Sequence, residues 1–447
     1  MHTITPLSLK DVLIEKLAEA ISAPLPVCTP RQIRGVVSLP GKATAVVGMR
    51  RAGKTTFLHQ LRRDKFNQGT PLTHLPYLNF EDERLADLEA AHLGLLLDEF
   101  ARRTAGSSGP VRATWFFDEI QVVPGWERFV RRLLDTGTSD VVVTGSSAAL
   151  LSREIATALR GRAWEVPLYP FSFAEALHHQ GRDIPPDTAF LSGVERAGIE
   201  RAFLDWLIVG GFPEVQGLDQ ASRRQLLQDY VDVAILRDVV ERHGVSNVIG
   251  LRWLVRHLLG NAAGTFTVEK FHAGLKSQGV AISRDTVHQL LAHLEDCFLV
   301  RTVWMEATSE RQRMVNPRKT YPIDPGLIPL FDRSGRRNHG HALETAVLIE
   351  LERRRCAATY VRTSAGHEVD FLARDPLGNE TLIQVCLDAS EPATAHRELR
   401  ALAEAARTHP KAGKLLLTLN KDDAPADIPE DVTVCPAYEW MLTEPTE

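Results

Sequence analysis

The chain has 447 residues, of which 44% are hydrophobic and 24% charged, the balance of a globular protein with room for roughly two to four domains. Its formal net charge of −5 excludes a global basic field, so any nucleic-acid contact needs a local patch. Five scattered cysteines without a C-x-x-C pair argue against a zinc ribbon or disulfide framework, and no apolar run reaches the ~18 residues of a membrane span. With no signal-peptide pattern at the N-terminus, the expected location is the reducing cytoplasm.

In chain order, residues 1–40 predict a lead-in helix over Leu9 to Ile21, then a Pro-containing loop. Residues 41–170 predict a nucleotide-binding α/β core. Ala43, Ala45, Val46 and Val47 form a short apolar run. Gly48-Met49-Arg50-Arg51-Ala52-Gly53-Lys54-Thr55 then fits G-x-x-x-x-G-K-[ST] at each fixed position, and Phe57, Leu58 and Leu61 follow at helical spacing. Strand, glycine loop and helix start are the setting this phosphate-binding motif requires. Backbone N–H groups of Arg51, Ala52, Gly53 and the first helical residues, Thr56 included, point at phosphate oxygens, where the helix dipole favours negative charge. Lys54 is placed to reach the β- and γ-phosphates of ATP, and Thr55 to set its hydroxyl on Mg²⁺.

Thr73 to Phe80 reads as a second strand and Asp82 to Arg103 as a helix. Thr114 to Phe117 is an apolar strand ending in Asp118-Glu119, the first acid suited to hold Mg²⁺ and the second to polarise an attacking water. A further strand, Asp140 to Thr144, runs into Gly145-Ser146-Ser147. Ser146 is placed to sense the γ-phosphate or to cap the next helix, and both roles stay open. Arg160 and Arg162 are candidates for an arginine that neutralises transition-state charge, in cis or towards a neighbouring subunit, with surface salt bridges as the plain alternative.

The stretches GMRRAGKTTFL, WFFDEIQVVPGWERFVRRLLD, VVVTGSSAALLSREIATALRGRAWEVPLYPFSFAEAL, GGFPEV, RDVVERHGV, EVDFLAR and LIQVC together resemble a family of bacterial and archaeal AAA-like P-loop ATPases. The C-terminal half of that family is a domain of unknown function of the DUF4143 type. The resemblance implies an ATP-binding AAA-type core, a winged-helix segment and a nuclease-like C-terminal fold. Residues 171–240 read as helices in the position of an AAA-type lid, broken at Gly210-Gly211-Phe212-Pro213.

Residues 241–306 carry a winged-helix pattern: helices over Leu251 to Leu259, Thr267 to Ser277 and Ser283 to Asp296, then a wing strand over Phe298 to Met305. Arg284, Thr286, His288 and Gln289 are its candidates for reading bases, but Asp285, Glu295 and Asp296 cancel their charge, which favours docking a protein or another part of the chain. Residues 307–339 read as a linker. Residues 340–447 read as an α/β unit resembling the PD-(D/E)xK nuclease fold. Asp370 fills its first acid position and Glu344 a helix position, while Gln384-Val385-Cys386 replaces acid-x-Lys; Lys411 or Lys414 would have to supply the missing cation. The expectation is a nuclease-like fold without cleavage. The whole then reads as an Mg²⁺-dependent ATPase used as a conformational switch. An ATP-regulated nuclease, or a regulator that binds DNA or protein without catalysis, is the alternative. Duplex DNA, a protein partner and self-association all stay open.

Overall fold

The run Ala43–Val47 forms strand β1, and all five residues are buried. Such a strand needs cover on both faces, which is the condition of a parallel sheet. In the computed structural model, which describes residues 8–105, 112–145, 161–184, 191–332 and 338–443, the chain divides into two units, Met1–Leu168 and Tyr169–Glu447.

The first unit opens with helix α1 (Leu9–Ser22), capped by the Ser8 side chain. After β1 come α2 (Lys54–Asn67), β2 (Tyr77–Asn79), α3 (Gly94–Thr104), β3 (Ala113–Asp118), α4 (Trp126–Asp135), β4 (Ser139–Gly145) and β5 (Ala163–Pro167). The strands form one parallel sheet in the order β2-β3-β4-β1-β5. Phe57 and Leu58 of α2 pack with Val46, Phe116, Val142 and Val166 on one face. On the other, Phe100 of α3 meets Trp115 at 5.0 Å and Phe129 of α4 meets Phe117 at 5.9 Å. Alternation along β3 thus sends Phe116 and Phe117 to opposite sides.

The helix expected from Asp82 to Arg103 is shorter. Asp82 caps a 3-10 turn over Glu83–Leu85, turns continue to Leu93, and α3 starts at Gly94. Leu85, Leu88 and Leu93 are nonetheless buried, so the apolar spacing holds although the backbone is not helical.

The second unit runs α5 (Phe173–His179), α6 (Gly193–Val209) and α7 (Gln220–Val233), which continues into a π-helical stretch, Ala234–Glu241. Next come α8 (Val248–Gly260), β6 (Thr265–Phe266), α9 (Val268–Ser277), α10 (Arg284–Asp296), β7 (Val300–Met305) and β8 (Arg318–Pro322). The chain closes with α11 (His339–Arg353), β9 (Ala357–Arg362), β10 (Glu368–Arg374), β11 (Glu380–Val385), α12 (Pro392–Ala406), β12 (Gly413–Thr418) and β13 (Thr433–Pro436). All eight strands belong to one sheet, β13-β12-β11-β10-β9-β7-β8-β6.

That sheet corrects the expected partition. The segment read as a linker contains β8, which pairs antiparallel with β7 from Val300↔Pro322 to Trp304↔Arg318. The strand read as a wing, β7, also pairs in parallel with β9, so the regions read as winged helix and nuclease-like unit share a sheet. The Gly-Gly turn joins them to the helices before it. Gly211 N–H and Gly326 N–H both donate to the buried Asp324 carboxylate, at 2.7 and 2.9 Å. A Cβ on Gly210 would sit 1.9 Å from Asp324 Oδ1, and one on Gly211 2.1 Å from the Phe171 carbonyl. No helix among the described residues is long and apolar enough to cross a membrane.

Candidate nucleotide site

The glycine loop lies at the carboxyl end of β1, where open parallel sheets hold their ligands. A Cβ at Gly48 would come within 2.1 Å of the Leu168 carbonyl. Arg51 and Gly53 take left-handed backbone (φ 67° and 99°), and Gly53 caps the start of α2. The loop is braced from behind by a residue that the sequence did not single out. Buried Arg31 donates from Nη1 to the Ala52 carbonyl at 2.8 Å, while its backbone exchanges two hydrogen bonds with Gln60.

Lys54 is buried and donates to the carbonyls of Gly48 (3.1 Å) and Met49 (3.3 Å); Glu119 Oε1 is 3.8 Å away. Thr55 Oγ1 donates to Asp118 Oδ2 at 2.7 Å, and Thr56 is exposed in the same first helical turn. Tyr77 OH donates to that same Asp118 oxygen at 2.8 Å, and Thr144 Oγ1 to Oδ1 at 2.5 Å. Burial, then the Asp118 charge, raises the Tyr77 phenol well above its ordinary range, so it stays a donor. Thr144 Oγ1 also accepts from Glu119 N–H at 2.8 Å, and Gln121 Nε2 donates to the Glu119 carboxylate. Glu119 sits at φ 52°, a conformation uncommon for this residue type.

The donor set suits a hard cation: a hydroxyl and a carboxylate converge on one point at the edge of a phosphate loop. Thr55 and Asp118 are the residues that would hold Mg²⁺. Of the other candidates, Ser146 and Arg160 lie outside the described residues. Arg162 lies beside the opposite end of β1, where its carbonyl accepts from Ala43 N–H at 2.9 Å, and its guanidinium pairs with Asp135. It therefore does not reach the phosphate loop of its own chain. Tyr77, Thr144, Gln121 and Arg31 carry no motif; strand register brings Tyr77 and Thr144 to the site, the turn after Glu119 brings Gln121, and a loop brings Arg31.

In the second unit, the acids expected in a nuclease arrangement meet a lysine from an unexpected place. Lys319 of β8 contacts Glu344 Oε1 (2.9 Å), Glu368 Oε1 (2.9 Å) and Asp370 Oδ1 (3.0 Å), and Tyr321 OH donates to Glu344 at 2.7 Å. Burial pulls the ammonium's pKa down, but Asp370, Glu344 and Glu368 more than offset this and hold it charged. Burial and the Asp370 charge push Glu344 up. Gln384 instead donates to Glu398 of α12 at 2.7 Å, and burial pushes the Cys386 thiol up to about 11. Lys414 pairs with Asp431 and Lys411 is exposed, so neither replaces the missing lysine. On α10, Arg284, His288 and Gln289 are exposed, whereas Thr286 is half-buried and shares a 2.8 Å hydrogen bond with the cap Ser283.

Residues 40–177 match the AAA domain family, and the first unit is an AAA-like P-loop domain. Residues 200–335 match a domain of unknown function, DUF8612, rather than the DUF4143 type expected from the resemblance. The uncharacterized protein MJ1544 of Methanocaldococcus jannaschii is 32% identical over 416 residues, 91% of this chain and 89% of that protein. An uncharacterized protein of Haemophilus influenzae is 30% identical over 330 residues, 74% of this chain and 78% of that one. Among solved structures, the Walker-type ATPase PABY2304 of Pyrococcus abyssi aligns with a TM-score of 0.38 at 16% identity, covering 72% of this chain and 95% of that one. The ORC2 protein of Aeropyrum pernix, solved with ADPNP and ADP, aligns at 0.35 and 12%, covering 72% and 91%.

Proposed function

This chain belongs to the family of these two uncharacterized archaeal and bacterial proteins, and from that premise we propose that it is an Mg²⁺-dependent ATPase whose nucleotide cycle switches its conformation. The observation that carries the reading is the convergence of Thr55 and Asp118 at 2.7 Å beside a lysine hydrogen-bonded to backbone carbonyls, with Glu119 no nearer than 3.8 Å. Neutral carbonyls hold the Lys54 ammonium without cancelling its charge, so it is free to turn to the β- and γ-phosphates. Mg²⁺, when bound, neutralises phosphate charge. Asp118 is fixed for that task by Tyr77 and Thr144. Glu119, tied down by Gln121 and by its own N–H on Thr144, orients the water and takes up its proton. Transfer of a phosphoryl group to water needs mainly positioning and charge stabilisation, and these residues supply both.

Nucleic-acid cleavage is not part of this reading, because Lys319 already neutralises the acids that would have to hold a catalytic ion. Activity and the class of partner follow from one measurement: phosphate release from Mg-ATP with and without duplex DNA, with Glu119→Gln as control. Turnover in the parent and its loss in the variant supports the ATPase; equal rates in the two overturn it. Stimulation by DNA makes the partner a nucleic acid, and indifference points to a protein.

A further inference from the structure

Away from the phosphate loop, the second unit holds a cavity of about 890 Å³ lined in part by His243, His272, Lys276, Thr286, Gln289 and His293. His243 and His293 of its lining and Asp296 beside them each bring a ligand atom within 4.8 Å of the others. The two imidazole rings stack at 3.7 Å with planes 14° apart. His293 and Asp296 are three residues apart on α10 and therefore share a face. His243 lies in the helical end that follows the π-helical stretch, a backbone form that concentrates at functional sites. The neighbouring Arg242 is met by the buried Asp238 at 3.2 Å, so its charge is offset locally.

We propose that His243, His293 and Asp296 form a binding site for a borderline divalent metal of the Zn²⁺ class. Two imidazole nitrogens and one carboxylate oxygen are a three-ligand set that Zn²⁺ takes with water in the fourth position. Mg²⁺ and Ca²⁺ want oxygen ligands throughout, so this site selects against the ion of the nucleotide site. Ligation turns the stacked rings until their nitrogens converge, and the water position faces the cavity. The ion would join the end of the helix that carries the π-helical stretch to α10, and so fix the geometry of the helical segment against the sheet. The site makes no use of the ATPase reading and stands or falls separately from it.

The full chain, stripped with chelator, is titrated with Zn²⁺ by calorimetry in excess Mg²⁺, and Co²⁺ is used as a spectroscopic stand-in. One equivalent should bind, with Co²⁺ visible bands of low-coordinate intensity, and His243→Gln or Asp296→Asn should weaken affinity by about tenfold or more. Rates of phosphate release in Mg-ATP should be the same in both variants as in the parent. Should either variant misfold by circular dichroism, His293→Gln is the replacement. No Zn²⁺ binding by the parent, or undiminished affinity in the folded variants, overturns the site and leaves a His–His–Asp packing contact only.

Discussion

Each unit buries a lysine near carboxylates, and the two lysines are held in opposite ways. Lys54 rests on two carbonyls, with Glu119 at 3.8 Å. Lys319 is in direct contact with three carboxylates at 2.9–3.0 Å. The first charge is only loosely met, by one carboxylate at 3.8 Å, and waits for an anion. The second is spent on holding the protein's own acids inside a sheet. Lysine and acid near one another therefore say nothing about chemistry until the partners within hydrogen-bond distance are known.

The sharpest break of this comparison would be in turnover. Glu119→Gln should keep ATP bound and lower phosphate release by about 10²–10⁴, the usual worth of a general base; parental turnover would remove Glu119 from the chemistry. Lys54→Ala should weaken or abolish productive nucleotide binding. Its cost in urea unfolding should be small, about 1.5 kcal/mol, because the hydrogen bonds it removes are to carbonyls and the nearest carboxylate, Glu119, stands at 3.8 Å.

Lys319→Met should do the reverse. It strands buried carboxylates and should cost about 3–5 kcal/mol in the same unfolding assay. Adding Asp370→Asn should restore part of that loss. A Lys319→Met protein as stable as the parent would mean the acids had simply taken up protons at no cost.

Asp324 shows what a buried acid in that unit costs without a lysine. Burial pushes its carboxyl up to about 6 from 3.8, against the lowering by the Gly211 and Gly326 N–H groups. The folded state then binds more protons than the unfolded one between those values, so stability falls as pH rises through that window, by at most about 3 kcal/mol. Asp324→Asn should flatten this slope in unfolding measured from acid to neutral pH. The smallest effect is expected for Tyr77→Phe. Losing one hydrogen bond to Asp118 is worth about 1 kcal/mol, so the Mg²⁺ needed for half-maximal turnover should rise roughly fivefold while ATP affinity holds. An unchanged Mg²⁺ dependence would make Tyr77 a packing residue.

What was legible in the sequence follows the same division. The phosphate loop is contiguous, so Gly48 to Thr56 announce their geometry in nine letters. Asp118 and Glu119 are readable because an apolar strand ends in them. Tyr77, Thr144 and Arg31 reach the site through sheet register and a loop brace, which leave no local signature. Lys319 was invisible for a related reason. It lies in a stretch without strong alternation, and its pairing with β7 on one side and β6 on the other makes that stretch a strand. Gly210 and Gly211 showed as a break between helices; that their missing side chains make way for Asp324 and the Phe171 carbonyl required the fold.

The parallel contact of β7 with β9, Trp304 beside Thr359 and Met305 beside Tyr360, has a consequence for taking the protein apart. A cut between residues 307 and 339 would not release two self-sufficient pieces. It would uncover the β9-facing edge of β7 in the N-terminal fragment and the β7-facing edge of β9 in the C-terminal one, each with unmet N–H and C=O groups open to any passing strand. During synthesis the same holds in time: β8 follows β7 closely, but the other edge of β7 must wait for about fifty more residues before β9 emerges, and an exposed strand edge of that kind is where chaperones and aggregation compete.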